Sequence, residues 1–161
     1  MLSWLDLMAL VALSAALALG IRQGASFTLA FAPALLLYLL LAPLLAPLLP
    51  AWGMPWLAGG LGLAMAYLAQ WVPLPPLRPA LEGLVGGLGG LLWGLLLALT
   101  LWVSFPSEFV ASTGALRYPS EQIPLGVKKG IVQSPFARPL FDWIASHPTL
   151  KAALLPNLNH P

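Results

Sequence analysis

Apolar residues fill the first two thirds of the chain in four long runs, separated by short breaks that contain proline, glycine or arginine. Each run has about the length that a helix needs to cross a hydrocarbon core of about 30 Å. The pattern predicts an all-α, polytopic membrane protein with four transmembrane helices, over about 4–21, 26–42, 53–72 and 82–105. We therefore predict a membrane domain over 1–105 and a polar tail over 106–161.

The breaks between the runs contain residues that end or bend helices. Arg22-Gln23-Gly24 follows the first run, and Ser26 is a suitable N-cap for the second. Proline lacks an amide donor and clashes with the preceding turn, so Pro33 is expected to bend the second helix or mark its first turns. For the same reason the prolines at 43, 47 and 50 are expected to end it.

The tail contains two stretches with the spacing of short amphipathic helices, over about 134–145 and 148–155. Ser134-Pro135 reads as the N-cap and first residue of the earlier one. Its predicted apolar face consists of Phe136, Leu140, Phe141 and Ile144. Ser107-Glu108 is a further candidate helix start. Short amphipathic helices of this kind lie on the bilayer surface or cap a bundle.

Composition agrees with a membrane protein, because 60% of the residues are hydrophobic and only 7% are charged, against about 25% in soluble domains. Cysteine is absent, which excludes disulfides and thiolate chemistry. The net charge of +2 comes from few groups, so nucleic acid is not expected as a partner. The first run lacks the basic start of a signal peptide, and we predict an uncleaved span.

The short loops predict an orientation. Arg22 and Arg78 lie in the first and third breaks, and the second break has no charge. The positive-inside rule places these arginines in the cytoplasm and both termini outside it. Four tryptophans that favour the headgroup zone would then lie at the outer interface: Trp4, Trp52, Trp56 and Trp102.

The fourth run is rich in glycine. Gly86, Gly90 and Gly94 are four apart and form two overlapping G-x-x-x-G units, a spacing that lets two membrane helices approach closely. The predicted helix-packing residues are Gly83, Gly86, Gly87, Gly90 and Gly94. The partner helix belongs either to the same chain or to a second copy.

Charged residues at the helix ends allow two interpretations each. Asp6 either interacts with the N-terminus of its own helix at the interface, or is a buried partner for another helix or a tail lysine. Glu82 either pairs with Arg22 across helices, which would fix the register of the bundle, or pairs with Arg78 four residues earlier.

No constellation for catalysis, cofactor binding or metal binding is evident in the sequence. His147 and His160 are isolated from any carboxylate at ligand spacing, and no phosphate loop or nucleotide fingerprint occurs. The spans contain almost no ionisable residue that would form an ion or proton pathway. We therefore expect a protein that is not an enzyme and needs no cofactor.

Several features together resemble the colicin V production protein family, whose members are four-span bacterial inner-membrane proteins. They are Trp4-Leu5-Asp6 before the first span, the G-x-R-x-G break at 20–24, the glycine spacing at 86–94, and a serine before an amphipathic tail helix at Ser134. The third break departs from the family pattern, because it is rich in proline and poor in charge.

The resemblance implies a bacterial inner-membrane protein linked to toxin production and to envelope homeostasis. We expect a non-enzymatic scaffold or accessory factor in envelope maintenance or peptide export, with the lipid bilayer and other membrane proteins or further copies of itself as partners. Alternatives are a small transport or channel component and an accessory subunit of a larger membrane complex.

Overall fold

The computed structural model of the chain describes residues 2–50, 52–75, 77–110 and 115–155. Four apolar helices come first: α1 (Trp4–Gln23), α2 (Ala25–Leu45), α3 (Gly53–Ala69) and α4 (Pro79–Val103). Of these, α1, α2 and α4 are long and apolar enough to cross a membrane, whereas α3 is apolar but shorter. The chain is therefore a mostly helical, membrane-embedded protein.

A single residue, Gly24, joins α1 to α2. Its φ of 71° lies in the left-handed region, which favours glycine because a side chain would be strained there. A Cβ at this position would also lie only 2.5 Å from Cγ of Glu82, at the start of α4. The break after the first run is thus a tight reversal that is packed against α4.

The helix ends differ from the expected ones by up to three residues. Pro43 lies inside α2 and does not end it, since the helix continues to Leu45 and the Ala46 amide still donates to the Ala42 carbonyl at 2.9 Å. The third helix ends at Ala69, three residues early. Residues 70–72 there form tighter i to i−3 hydrogen bonds, a common way for a helix to end.

Helix α4 is the centre of the bundle. It makes the most extensive interhelical contact with α1, and it also contacts α2 and α3. The pair α1 and α3 has no extensive contact with one another. We call the end of the bundle that holds the start of α1 the Asp6 end, and the end that holds its last turn the Arg22 end.

The described part of the tail contains a hairpin and three short helices. Strand β1 (Glu108–Val110) pairs antiparallel with β2 (Ala115–Arg117), and α5 (Leu125–Gln133), α6 (Ala137–Ala145) and α7 (Pro148–Leu154) follow. The candidate helix start at Ser107-Glu108 is therefore wrong, because Glu108 enters a strand opposite Arg117. Such opposite charges on facing residues favour strand pairing.

The tail packs on the Asp6 end of the bundle. One buried apolar cluster contains residues from α1 to α4 together with Ile131, Phe141 and Ile144 of the tail. The earlier tail helix begins at Ala137 rather than at 134, and residues 156–161 of the predicted tail lie outside the described residues. The tail is thus part of the packed core at that end.

Candidate functional site

A carboxylate is buried in the first turn of α1. Asp6 is 0% exposed, and its Oδ2 accepts hydrogen bonds from the amide and the hydroxyl of Ser3, at 2.7 and 3.0 Å. The Asp6 amide in turn donates to Ser3 Oγ at 3.3 Å. This reciprocal pair is a capping box, which satisfies amide donors that have no partner within the helix. The sequence Ser3-Trp4-Leu5-Asp6 therefore determines where α1 begins.

The other carboxylate oxygen joins α1 to two distant parts of the chain. Trp102 Nε1, in the last turn of α4, donates to Asp6 Oδ1 at 2.9 Å, and Ser134 Oγ donates to the same atom. Burying a carboxylate costs free energy unless donors surround it, and hydrogen bonds to a charged group are the stronger ones. We call Ser3, Asp6, Trp102 and Ser134 the Asp6 network, which connects α1, α4 and the tail.

Both interpretations of Asp6 describe part of this arrangement. The residue caps its own helix, and it is also a buried partner for another helix. Its partner in the tail is the Ser134 hydroxyl, and no described lysine contacts it. The sequence pattern identified both Asp6 and Ser134 but did not bring them together.

Ser134 has a second role in the chain turn that precedes α6. Its Oγ accepts from the amides of Phe136 and Ala137, at 3.2 and 3.1 Å. It therefore supplies the hydrogen bonds of an N-cap, although the helix itself starts later. One hydroxyl thus orders the start of α6 and attaches it to Asp6.

Aromatic contacts surround the Asp6 network. The Trp102 ring lies 5.2 Å from that of Phe136, and Tyr118 stacks on Phe141 with ring centres 4.0 Å apart. The Tyr118 hydroxyl donates to the backbone carbonyl of Trp102. Burial raises the pKa of Tyr118 above its usual value. Sequence reasoning missed Tyr118 because its stretch shows no helical or strand periodicity.

The hairpin is tied to the next turn by Glu108. Its carboxylate accepts from Ser120 Oγ at 2.9 Å and from the Glu121 amide at 3.2 Å, and Arg117 lies 3.8 Å away. These hydrogen bonds, with the arginine, hold the pKa of Glu108 below its usual value. Arg117 also forms an ion pair with Glu121 at 2.6 Å. The charged residues Glu108, Arg117 and Glu121 therefore link the hairpin to the turn that follows it.

The glycine-rich face of α4 packs on α1 of the same chain. A Cβ added at Gly86 would lie 2.6 Å from Gly24 Cα, and one at Gly90 would lie 3.0 Å from Leu17 Cα. One at Gly94 would lie 2.9 Å from Leu13 Cα, and one at Gly20 would lie 2.8 Å from Gly90 Cα. Because these are backbone atoms, the two helices are in near backbone contact along this line, which we call the glycine seam.

The other two predicted packing glycines lie beside the seam. Gly83 has only ordinary contacts with Ile21, and at Gly87 the nearest atom is a side-chain carbon of Ile21. Gly89, which is not among the five predicted packing glycines, faces α2, where the Thr28 hydroxyl donates to the carbonyl of Val85. The glycines of α4 thus allow close contact with two helices, α1 and α2.

Neither of the two ion pairs considered for Glu82 is present among the described residues. Arg22, Arg78 and Glu82 are exposed, and none of them forms an ion pair within the described part of the chain. The Glu82 side chain instead lies against Gly24. The register of α1 on α4 is set by backbone contact at the glycine seam, so it does not need a charge pair.

The four tryptophans fall into two groups at the Asp6 end. Trp4, Trp52 and Trp56 line one recess of about 450 Å³ between α1, α3 and α4. Trp4 also donates to the Gly126 carbonyl at 3.3 Å, which adds a link to the tail. Trp102 points into the Asp6 network instead.

Only part of the predicted apolar face of the tail helix is buried. Phe141 and Ile144 are fully buried and Leu140 is half-buried, whereas Phe136 is 44% exposed. Phe136 precedes the helix, so it does not share the helical face of the other three. Its ring lies on Trp102 instead.

The chemistry of the site is that of a structural junction. Both oxygens of the Asp6 carboxylate accept hydrogen bonds, Oδ2 from Ser3 and Oδ1 from Trp102 and Ser134. Across the described ranges no three His, Asp or Glu side chains gather to hold a metal ion, and His160 lies outside those ranges. Comparisons with protein-family models, with curated proteins and with solved structures found no match.

Proposed function

We propose that the chain is a non-enzymatic scaffold or accessory factor of the colicin V production type, acting in envelope maintenance or peptide export at a bacterial inner membrane. The observation that carries the proposal is the tail: the Asp6 network holds it on the bundle, while large apolar side chains remain on its outer surface. A tail that is fixed in position and apolar outside is suited to contact a partner or the membrane surface.

The pairing of the family-like features supports the resemblance. Asp6 of the opening motif is hydrogen-bonded to Ser134 of the tail motif. Gly20 and Gly24 of the break after the first span lie against Gly86 and Gly90 of the fourth. The four family-like features, which are far apart in sequence, thus form two contacts in the fold. These contacts are a structural reason for the four features to occur together.

The outer surface of the tail offers a defined contact face on α5. Leu125 is 84% exposed and Val132 is 66% exposed, and they are seven residues apart, so they lie on one face of the helix. Phe109 and Trp143 are exposed elsewhere on the tail. We infer that the Leu125–Val132 face of α5 is the part of the tail that contacts a partner or the membrane surface.

Complementation tests this role. In a bacterial strain that lacks its own colicin V production protein, we expect the wild-type chain to restore toxin production and resistance to envelope stress. The paired variant Leu125→Asn and Val132→Asn should fail while reaching the same level in the membrane. Lys129→Ala, an exposed change on the same helix, is the matched control and should restore both. A wild-type chain that is present in the membrane but restores neither would refute the assignment.

We propose further that α3 is a fourth span and that both termini lie outside the cytoplasm. Its 17 residues correspond to about 26 Å, short of a full core but within reach of a locally thinned bilayer. Helix α3 packs on α2 and α4, as a crossing helix would. Arg22 and Arg78 lie at the opposite end of the bundle from the tail, which fits a cytoplasmic Arg22 end.

The chain has no cysteine, so single cysteines report topology directly. We expect Lys129→Cys on the tail and Pro50→Cys, exposed in the loop between α2 and α3, to react with an impermeant maleimide in intact spheroplasts. Pro75→Cys, exposed in the loop between α3 and α4, should react only after the membrane is opened. The reverse pattern at all three positions would invert the proposed orientation. Labelling of both Pro50→Cys and Pro75→Cys in intact spheroplasts, with Lys129→Cys protected, would remove α3 as a span.

A further inference from the structure

An apolar groove runs between α1 and α3. Both helices pack on α4 but not extensively on each other, so a gap remains whose floor is formed by Trp93 and Leu97 of α4. Its walls include small residues, among them Ala12 on α1 and Gly59 and Gly62 on α3, beside the larger Leu19 and Leu63. Short side chains on both walls leave room for a slender apolar molecule.

The groove is continuous along much of the bundle. Ala12, Gly59 and Leu97 line both its middle part and the recess at the Asp6 end, and Leu19 lines both the middle part and a recess at the Arg22 end. From Leu19 to Met8 the helix rises about 16 Å. This length matches one leaflet of a hydrocarbon core of about 30 Å, and therefore the depth of one lipid acyl chain.

The recess at the Arg22 end has the opposite character. It measures about 440 Å³ and is lined by Leu19, Arg22, Gln23 and Gln70. Arg22 is exposed and forms no ion pair with any described residue, so its guanidinium is available to an anion. Gln23 Oε1 is buried and accepts no hydrogen bond within the described part of the chain, so it lacks a donor.

The apolar groove and the polar recess at the Arg22 end together indicate the chemistry of one ligand. A guanidinium binds a phosphate strongly, and an amide oxygen without a partner needs a hydroxyl or N–H donor. A phospholipid with a glycerol headgroup supplies a phosphate, hydroxyl donors and acyl chains in one molecule. A lipid with a choline headgroup has the phosphate but no donor for Gln23. A lipid with an ethanolamine headgroup has an N–H donor but also carries a cation, which would lie beside the cationic Arg22.

We propose that the chain binds one phosphatidylglycerol molecule, with its phosphate on Arg22, its headgroup hydroxyls at Gln23 and Gln70, and one acyl chain in the groove between α1 and α3. The site is separate from the tail surface on which the proposed function depends, so either proposal can fail alone. The lipid would fill the gap between α1 and α3 and connect two helices that make no extensive contact with each other.

Native mass spectrometry in a mild detergent tests the site, using phosphatidylglycerol and phosphatidylcholine with identical acyl chains. We expect one phosphatidylglycerol to remain on each wild-type chain at a concentration where phosphatidylcholine does not. Arg22→Gln should lower the apparent affinity for phosphatidylglycerol roughly tenfold, the effect of about 1.4 kcal/mol from a lost charge-assisted contact. Arg78→Gln, an exposed loop arginine outside the groove, is the matched control and should bind as the wild type does.

A second pair of variants tests the acyl-chain path. Gly59→Leu places a side chain in the groove and should reduce lipid retention, whereas Gly60→Leu, where an added Cβ meets nothing within 4 Å, should not. Equal retention of both lipids would mean nonspecific annular lipid only and would overturn the proposal. So would equal loss in Arg22→Gln and Arg78→Gln, or retention that is unchanged in Gly59→Leu.

Discussion

The two contacts that hold α1 in place are opposite in chemistry. At the glycine seam, α1 and α4 meet through backbone atoms because side chains are missing. At the Asp6 end, α1, α4 and the tail meet through a buried carboxylate and its donors. The seam depends on shape, so a larger residue disrupts it. The Asp6 network depends on hydrogen bonds, so a change of the same size that alters donors and acceptors disrupts it.

The largest effect is expected from filling the seam. Gly90→Leu should lower the free energy of unfolding by more than about 3 kcal/mol, because overpacking costs about 1–3 kcal/mol even where side chains can move, and here the neighbours are backbone atoms of Ala16 and Leu17. The measurement is reversible unfolding in mixed micelles. Gly60→Leu is the control, since an added Cβ there meets nothing within 4 Å. Equal loss in both variants would contradict close packing at the seam.

A smaller loss is expected from changing the carboxylate without changing its size. Asp6→Asn places an amide group among hydroxyl, indole and backbone donors, which leaves at least one buried donor unpaired at a cost on the order of 3 kcal/mol. The tail should then become sensitive to limited proteolysis while α1 to α4 stay resistant. Asp142→Asn makes the same chemical change at an exposed position and should leave the tail protected.

The difference between the two contacts also explains what the sequence alone predicts. A glycine at every fourth position is a local pattern, visible within one helix, so the seam was expected even though its partner helix was left open. The four apolar runs are local in the same way, and their ends were expected to within about three residues. Both the glycine spacing and the apolar runs can be recognised within one segment, without knowing which segment it packs against.

Within the Asp6 network only the Ser3–Asp6 capping box has a local signature. The other two members, Trp102 and Ser134, are 96 and 128 residues away from Asp6 in sequence, and each alone has an ordinary role as an interfacial tryptophan or a capping residue. Helix α5 was missed because it is nine residues long, contains two glycines and has a narrow apolar face. Its position depends on burying Ile131 in the tail core, which is information about the fold and not about the segment.

The donors of the Asp6 network can be separated from one another. Trp102→Phe keeps the ring on Phe136 but removes the indole donor, and Ser134→Ala removes the hydroxyl. Each should cost about 1–2 kcal/mol of unfolding free energy. Combined with Asp6→Ala, which removes both acceptor oxygens, each should cost less than the sum of the single effects, because both changes remove the same hydrogen bond. Additive losses would show that these residues act through packing alone.

The smallest effect is expected at the hairpin, which uses a carboxylate as the Asp6 network does but at the surface. The pKa of Glu108 is lowered in the folded chain, so its contribution to stability is present above the usual carboxyl value of 4.5 and is lost as the pH falls through the lower folded value. Glu108→Gln should therefore lower the unfolding temperature slightly at pH 7, and the difference from wild type should shrink at acid pH. Glu82→Gln, exposed and without an ion pair in the described ranges, is the control. A difference that persists unchanged at acid pH would mean that Glu108 acts through its shape, as the glycines of the seam do, and not through its charge.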